Sequence, residues 1–133
     1  MKIAYLAGFF DGEGSLILRF RKDPRYKSGF QIKPNIDITQ KDPQILKQIK
    51  SQLNMGQLYL NKKENVWHYD IYKIEDILKF IEIVEADVIV KKRLTKRFKA
   101  CLMLMKSKKH TSSAGFNKIK KIWTARKSEA NTP

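Results

Sequence analysis

Apolar and polar residues alternate along the chain with two different periods, and each period predicts a kind of element. Apolar residues fill nearly every position from 3 to 10, as in a short helix buried on more than one side, and Gly12 and Gly14 offer a C-terminal stop. Strict alternation follows over residues 15–21 and 30–39, which predicts two half-buried strands. The chain is therefore expected to open with a helix and a hairpin.

The later part of the chain repeats both patterns. Pro34, inside the second strand, implies a bulge or a missing ladder bond. Asp42 and Pro43 suit the start of a second helix with one apolar stripe. The remaining periods predict strands over 57–61 and 67–72 and helices over 74–84 and 92–105. The order helix, strand, strand, helix, strand, strand, helix, helix indicates an α+β fold.

Length and composition fit one compact domain with a basic extension. The 133 residues are 42% hydrophobic and 11% aromatic, which is enough to bury a core. We expect residues 1–106 to form this domain. Residues 107–133 are expected to be a basic C-terminal extension, with a flexible linker and a short helix in which Trp123 is a packing anchor.

The charge of the chain predicts a polyanionic partner. A net charge of +15, from 28 Lys and Arg against 13 Asp and Glu, attracts phosphate or anionic lipid. Residues 88–128 hold 14 Lys or Arg and no acid. No apolar run approaches the ~20 residues that a spanning helix needs, so nucleic acid is favoured over a membrane.

Cysteine and histidine usage excludes two classes of protein. Cys101 is the only cysteine, so a disulfide framework within the chain is excluded. With His68 and His110 it offers too few ligands for a structural zinc site of the Cys/His type. We expect an intracellular, reducing location: an organelle (mitochondrion or chloroplast), or archaeal or bacterial cytoplasm.

Two acids stand where the first helix is expected to end. The helix macrodipole is negative there, so Asp11 and Glu13 are each unfavourable by ~0.3–1 kcal/mol unless a cation compensates. A divalent metal ion such as Mg²⁺ binds carboxylate and carbonyl oxygens, and Glu13 and the carbonyl group of Gly12 offer both. The alternative is that both acids are solvated turn residues.

The stretch "LAGFFDGEG", residues 6–14, resembles the signature of the LAGLIDADG homing endonucleases, with identity at Leu6, Ala7, Gly8, Asp11 and Gly14. The resemblance extends, in element order, over about the first 105 residues. It implies the family fold, αββαββα, with an antiparallel sheet as a DNA-binding saddle. It also implies that Glu13, a conservative acid at the metal-binding position, holds a divalent metal beside the scissile phosphates.

Only one copy of the signature is present, which in this family implies a homodimer. Ala4, Gly8 and Gly12 recur at helical spacing and form a small-residue stripe on which two helices can approach closely. A glycine inside a helix costs ~1 kcal/mol relative to alanine, so Gly8 favours a close helix contact over ordinary core packing. The predicted dimer interface comprises Ala4, Tyr5, Gly8, Asp11 and Gly12.

The resemblance implies two further active-site residues. In "ITQKDPQ", residues 38–44, the glutamine that orients the water around the metal corresponds to Gln40, whereas Gln44 stands where some members have an arginine. The lysine that opens the late helix corresponds to Lys91, or to Lys92 in a register shifted by one, and it stabilises charge on the phosphate. The predicted catalytic residues are Glu13, Gln40 and Lys91. The predicted metal ligands are Glu13 and Gly12, with Mg²⁺ as cofactor and Mn²⁺ or Ca²⁺ as substitutes in binding.

Alternation gives each predicted hairpin an outward face suited to reading DNA. Arg and Lys suit guanine edges, Asn and Gln suit adenine, and Asp accepts from cytosine. The alternative is an ordinary solvated sheet face. The predicted DNA-binding residues are Ile17, Arg19, Arg21, Gln31, Lys33, Asn35, Asp37, Tyr59, Asn61, Lys63, His68 and Asp70. Phosphate contacts are predicted for Lys106, Lys108, Lys109, Lys118, Lys120 and Lys121.

Together these features predict an intron-encoded homing endonuclease. As a homodimer it would cut a long, pseudo-palindromic double-stranded DNA target by Mg²⁺-dependent phosphodiester hydrolysis. One alternative is an RNA maturase that assists intron splicing on the same fold, with intron RNA as partner, for which the acid at Glu13 is dispensable. The other is a noncatalytic DNA-binding protein, against which the intact set Glu13, Gln40 and Lys91 argues. No membrane partner is expected.

Overall fold

A computed structural model of the chain describes residues 1–107 and 112–127. Its elements are α1 (Ile3–Glu13), β1 (Gly14–Lys22), β2 (Phe30–Gln40), α2 (Gln44–Leu53), β3 (Gln57–Asn61), β4 (Val66–Ile71), α3 (Ile74–Val84), α4 (Lys92–Lys106) and α5 (Ser113–Thr124). This order confirms the α+β fold and the succession of elements that the periodicity predicts. None of the helices in the described ranges is long and apolar enough to cross a membrane.

The four strands form one antiparallel sheet with the order β1, β2, β4, β3. β2 pairs with β1 over residues 30–38, with Ile38 opposite Gly14, and it pairs with β4 over residues 36–40. The register continues unbroken through Pro34, so the bulge considered from the sequence does not form. Position 34 has a partner in β1 alone, and the missing N–H of proline is tolerated where one edge of the strand is unpaired.

The sheet has one apolar face, which the helices cover, and one polar face. α1 packs against β1, β2 and α3, and the ring of its Phe10 meets Phe80 of α3 edge-on with centroids 5.0 Å apart. Each such side chain stabilises the fold by ~1.5–3 kcal/mol through burial. The inward side chains of the strands that join this core are Leu16, Leu18, Ile32, Ile36, Ile38, Tyr69 and Ile71.

The junction between α1 and β1 explains one glycine of the signature. α1 continues through Gly12 to Glu13, because glycine weakens a helix by only ~1 kcal/mol, and Gly14 is the one of the two expected stops that ends it. The chain leaves the helix at Gly14, where a Cβ atom would lie 2.6 Å from Cε1 of Phe10 and 2.8 Å from the Phe10 carbonyl oxygen. A side chain at position 14 therefore has no room between the helix and the strand.

α5 joins the same hydrophobic core. The Ser112 hydroxyl caps its first turn by accepting a hydrogen bond from the N–H of Gly115 at 3.0 Å. Phe116 stacks on Phe30 at the end of the first hairpin, with centroids 5.0 Å apart. Trp123 is 3% exposed, which confirms the predicted packing anchor.

The packing of α5 bears on the predicted division into residues 1–106 and 107–133. Because Phe116 and Trp123 belong to the central core, α5 is integrated into the domain and does not form a separate body. Lys108 and Lys109, for which phosphate contacts were predicted, lie outside the described residues.

Candidate functional site

The C-terminal end of α1 brings the predicted catalytic residues to one end of the sheet. Glu13 is the last residue of α1 and is exposed. Gly14 pairs with Ile38, so Gln40, two residues further along β2, lies at the same end of the sheet as Glu13. The end of α1 also contacts Lys91, as described below. The C-terminal end of α1, the C-terminal end of β2 and the turn before α4 therefore lie at this end of the sheet.

The environment of the Glu13 carboxylate suits a cation. The last turn of α1 contains no basic residue. Among residues 1–107 and 112–127, no side chain or backbone group donates a hydrogen bond to Glu13 or forms an ion pair with it. An exposed carboxylate at the negative end of a helix, beside the carbonyl group of Gly12, is the type of oxygen donor that divalent cations bind.

Asp11 contacts the turn that precedes α4. Its carboxylate accepts hydrogen bonds from the backbone N–H groups of Ile89 and Val90, both at 2.8 Å, and from that of Lys91 at 2.7 Å. Partial burial opposes ionisation of Asp11, but the three N–H donors and the charge of Lys91 outweigh it and lower the pKa of the carboxyl group. Asp11, expected in the dimer interface, thus directs its carboxylate into its own protomer.

Lys91 lies directly beside the end of α1. Its Nζ donates to the carbonyl oxygen of Asp11 at 2.5 Å and lies 6.0 Å from the centroid of the Phe10 ring. Lys92, the alternative, is the first residue of α4 and is exposed. Lys91 is therefore the lysine that the fold brings to Asp11. A cavity of about 700 Å³ borders this turn, lined by residues 89–94 with Arg126 and Lys127.

The polar face of the sheet carries the outward residues that the alternation predicts. Cross-strand pairs place Ser15 opposite Asp37, Ile17 opposite Asn35 and Tyr59 opposite His68. The exposed members of the predicted set are Arg19, Arg21, Lys33, Tyr59 and Lys63. The half-buried members are Ile17, Gln31, Asp37, Asn61 and His68. These ten side chains form a mixed polar surface on the side of the sheet away from the helices.

Two residues of the predicted set lie on this face of the sheet, but their side chains are buried. Asn35 is 5% exposed and Asp70 is 1% exposed. Neighbouring side chains on the same face cover them, and a direct hydrogen bond to a base needs an accessible edge. The expectation that Asn35 and Asp70 contact bases directly is therefore not supported by their position.

Asp37 and His68 are joined in a hydrogen-bond network on the polar face. Nδ1 of His68 lies 2.8 Å from Oδ1 of Asp37, and the Thr39 hydroxyl donates to Oδ2 of Asp37 at 3.0 Å. The ring of Tyr59 stacks on the His68 ring with centroids 5.1 Å apart. Burial, with Asp70 and Tyr72 nearby, raises the pKa of Tyr59. This part of the face is consequently held by contacts between its own side chains.

One face of α1 is exposed among residues 1–107 and 112–127. Ala4, Tyr5, Gly8 and Gly12 are exposed, with Tyr5 58% accessible. A Cβ atom built at Gly8 or at Gly12 would meet nothing within 4 Å. Packing inside the protomer therefore does not require either glycine, in contrast to Gly14.

The basic residues of the carboxyl third lie on a different side. α5 packs on Phe20 and Phe30, which belong to the inward face of the hairpin. Its exposed Lys118, Lys120 and Lys121 are thus on the helical side of the sheet, and Lys106 ends α4. Contact of these lysines with phosphates stays a prediction.

Comparison with known proteins identifies the family. The family model described as LAGLIDADG endonuclease matches residues 6–104, more than half of the chain. The chain belongs to the LAGLIDADG endonuclease family. The matched region begins at the first residue of the signature, Leu6, and ends in α4, so it includes Glu13, Gln40 and Lys91.

A curated relative and solved structures of this family show what the chain is similar to. The chain is 27% identical over 125 residues to a probable intron-encoded endonuclease 2 of Neurospora crassa, a match that covers 87% of this chain and 27% of that protein. The chain thus spans about a quarter of the length of that relative.

Two solved structures share the fold over almost the whole chain. An archaeal intron-encoded homing endonuclease complexed with DNA superposes with a TM-score of 0.88 at 22% identity, covering 98% of this chain and 85% of that one. The LAGLIDADG meganuclease I-CpaMI, bound to uncleaved DNA, superposes with a TM-score of 0.84 at 28% identity, covering 92% of this chain and 42% of that one. These likenesses confirm the LAGLIDADG fold.

The sequence did not indicate every part of the site. Nothing near Asp11 in the chain points to residues 89–91, because the contact joins residues about 80 positions apart. The only local signal was the presence of a second acid at the helix end. The alternation correctly gave the face of Asn35 and Asp70 but not their depth, which depends on the side chains around them.

Proposed function

We propose that the protein is a site-specific DNA endonuclease that acts as a metal-dependent homodimer on a long, pseudo-palindromic target. The observation that carries this proposal is the convergence of Glu13, Gln40 and Lys91 at one end of the sheet, beside a polar face formed by two hairpins. Carboxylate, amide and ammonium groups in this arrangement match the needs of phosphodiester hydrolysis.

The residues fit a divalent cation, for which we propose Mg²⁺. Glu13 and the carbonyl group of Gly12 are oxygen donors, and no cation of the described chain neutralises the Glu13 carboxylate. A bound divalent ion would supply charge neutralisation and a more acidic water. Gln40 would orient water through its amide group. Lys91, whose ammonium group is held at the Asp11 carbonyl oxygen, would stabilise negative charge on the phosphate.

The exposed face of α1 supports the homodimer. Ala4, Tyr5, Gly8 and Gly12 are accessible, and the two glycines leave open space where a second helix can approach. One protomer offers one Glu13, whereas cutting both strands needs two sites. A two-fold axis at this face would place one site on each strand.

DNA is the proposed partner of the polar sheet face. Arg19, Arg21 and Lys33 are exposed there, and the chain carries a net charge of +15. The family members described above include proteins solved with DNA bound. The relative from Neurospora crassa is named as intron-encoded, which supports an intron origin and a location inside the cell or an organelle.

The experiment that tests the proposal is a selection for cleaved sites from a randomised DNA library with Mg²⁺. Wild type, Glu13→Gln and Glu64→Gln are run in parallel. Glu64 is an exposed acid in the turn between β3 and β4 and serves as the matched control. We expect wild type and Glu64→Gln to enrich the same site and Glu13→Gln to cleave it slower by orders of magnitude.

Two results would contradict the proposal in different ways. Equal cleavage by wild type and Glu13→Gln would refute the role of Glu13 in holding metal. Absence of cleavage by wild type, together with specific binding of structured intron RNA, would favour the maturase function.

A further inference from the structure

Three side chains with metal-binding groups meet on the polar face, away from Glu13. Asp37 of β2 lies directly opposite Asp70 of β4, and His68 is two residues from Asp70 on the same side of the strand. One ligand atom from each of the three lies within 4.8 Å of the other two. The cluster is formed by two adjacent strands, so the backbone holds its members in a fixed register.

The cluster contains buried oxygens without hydrogen-bond partners. Asp70 is 1% exposed, and within the described residues no hydrogen bond reaches either of its carboxylate oxygens. Asn35 is 5% exposed, its amide group lies beside Asp70, and its Oδ1 is also without a partner among these residues. A buried polar atom left unsatisfied costs about 1–3 kcal/mol. Two such oxygens on one almost fully buried carboxylate indicate that a group able to satisfy both of them is missing.

The charges around the cluster make the cost larger. Burial and the nearby carboxylate of Asp37 raise the pKa of Asp70, and like charges directly opposite each other in a ladder are destabilising. Facing these two acids are His68, the hydroxyl groups of Tyr59 and Tyr72, and, further out, Arg19. His68 is already bonded to Asp37, so it leaves the oxygens of Asp70 unsatisfied.

We propose that Asp37, His68 and Asp70 form a binding site for one divalent first-row transition-metal ion, separate from the Glu13 site. The set offers two carboxylates and an imidazole nitrogen. Oxygen donors alone would suit Mg²⁺ or Ca²⁺, but the imidazole favours Zn²⁺.

A cation satisfies this cluster better than a shared proton does. A proton shared between Asp37 and Asp70 would satisfy one oxygen of each carboxylate, and the other oxygen of Asp70 would remain without a partner. A metal ion accepts several oxygen donors at once and compensates both negative charges. Binding would also hold His68, and Tyr59 stacked on it, in one position on the surface that we propose faces DNA.

The test is a calorimetric titration of the full-length protein with Zn²⁺, in wild type and in Glu13→Gln. We expect one Zn²⁺ per chain to bind at this cluster in both proteins, because the variant removes only the other candidate site. In the Glu13→Gln background, Asp70→Asn and His68→Gln should each weaken that binding at least tenfold. The control Glu64→Gln should leave it unchanged, and Mg²⁺ should bind at the cluster more weakly than Zn²⁺.

A second measurement guards against misfolding of the variants. In this measurement Co²⁺ replaces Zn²⁺, and its visible absorption reports imidazole and carboxylate ligands. His68→Gln, at a half-buried position, should abolish that absorption. The circular dichroism of the variant should stay unchanged. The proposal is overturned if Zn²⁺ does not bind to Glu13→Gln at millimolar concentration. It is also overturned if Zn²⁺ affinity and the Co²⁺ spectrum survive both Asp70→Asn and His68→Gln. Neither result bears on cleavage, which depends on Glu13.

Discussion

The backbone N–H of Lys91 donates to the carboxylate of Asp11 at 2.7 Å, and the Nζ of the same lysine donates to the backbone carbonyl oxygen of Asp11 at 2.5 Å. Two hydrogen bonds therefore join these residues, and each pairs the main chain of one residue with the side chain of the other. Asp11 satisfies three backbone N–H groups of the turn that leads into α4. Asp11 thereby fixes the position of Lys91.

Asp11→Asn tests whether this contact positions Lys91. The amide keeps one acceptor oxygen but loses the charge, and a hydrogen bond to a charged group contributes about 1.5–3 kcal/mol. We expect kcat for DNA cleavage to fall about 10- to 100-fold through misplacement of Lys91, while KM stays within a factor of two. Steady-state kinetics on the selected DNA site measure both constants.

The control for this prediction is Asp87→Asn, which removes an exposed acid just before the same turn. It should leave kcat and KM at their wild-type values. If Asp11→Asn lowered the melting temperature but left kcat intact, Asp11 would stabilise the turn before α4 with no influence on Lys91.

A second prediction concerns acid stability at the tip of the first hairpin. The Arg25 side chain donates to Asp23 and lowers the pKa of that carboxyl group from 3.8 to about 2. A lowered pKa in the folded state means that the ionised form stabilises the fold above pH 4, and that this contribution is lost as the pH falls towards 2. Arg25→Gln should return the Asp23 pKa towards 3.8.

Carboxyl carbon shifts in NMR, followed through an acid titration, measure this pKa directly. Lys27→Gln, in the same turn, is the matched control and should leave the titration of Asp23 in place. An unchanged Asp23 pKa in Arg25→Gln would show that backbone hydrogen bonds alone cause the shift.

Much of the fold could be predicted because apolar residues recur along the sequence with clear strand and helix periods. The strand over 30–39 and the helix over 74–84 come within one residue of β2 and α3, since each carries an uninterrupted apolar pattern. Of the two glycines expected to stop α1, Gly14 is its C-cap, whereas the helix passes through Gly12 because glycine permits a helix end without requiring one. The need for glycine at position 14 comes from the lack of room beside Phe10, a contact that depends on how the helix meets the strand.

The candidate site was less predictable than the fold. The resemblance pointed to Glu13, Gln40 and Lys91, and the sheet register brings the first two to the same end. The pair of hydrogen bonds between Asp11 and Lys91 joins distant parts of the chain, and no local sequence pattern indicates it. The burial of Asp70 was also missed, because alternation gives the face of a residue and says nothing about the size of its neighbours.

A third prediction separates base reading from phosphate contact. Arg19→Ala removes an exposed guanidinium group from the polar sheet face and should relax the preference at one base pair, at a cost of about 1–3 kcal/mol for the preferred base. Lys120→Gln, on α5, should weaken binding to all sequences alike and reduce the salt dependence by about one phosphate contact. Binding selections from randomised DNA at several salt concentrations compare the two. A change of preferred base in Lys120→Gln would contradict the assignment.

The fourth prediction uses the three glycines of the signature, which the structure divides into two kinds. Gly8 and Gly12 face open space, so Gly8→Ala and Gly12→Ala should leave the protomer as stable as wild type or stabilise it by about 0.5–1 kcal/mol through helix propensity. Gly14→Ala should destabilise it by about 1–3 kcal/mol, because the new methyl group collides with Phe10. Urea unfolding under conditions where the protein is monomeric measures each change.

The same variants then test the dimer, because the two measurements should move in opposite directions. A methyl group at position 8 or 12 would separate two helices that approach along this face, so sedimentation should show Gly8→Ala and Gly12→Ala as monomers at concentrations where wild type is a dimer. Ala100→Ser, a change of one atom at an exposed position of α4 outside this face, should leave the dimer intact. If Gly8→Ala and Gly12→Ala dimerised as wild type does, α1 would not be the interface, and the open space beside its glycines would need another occupant.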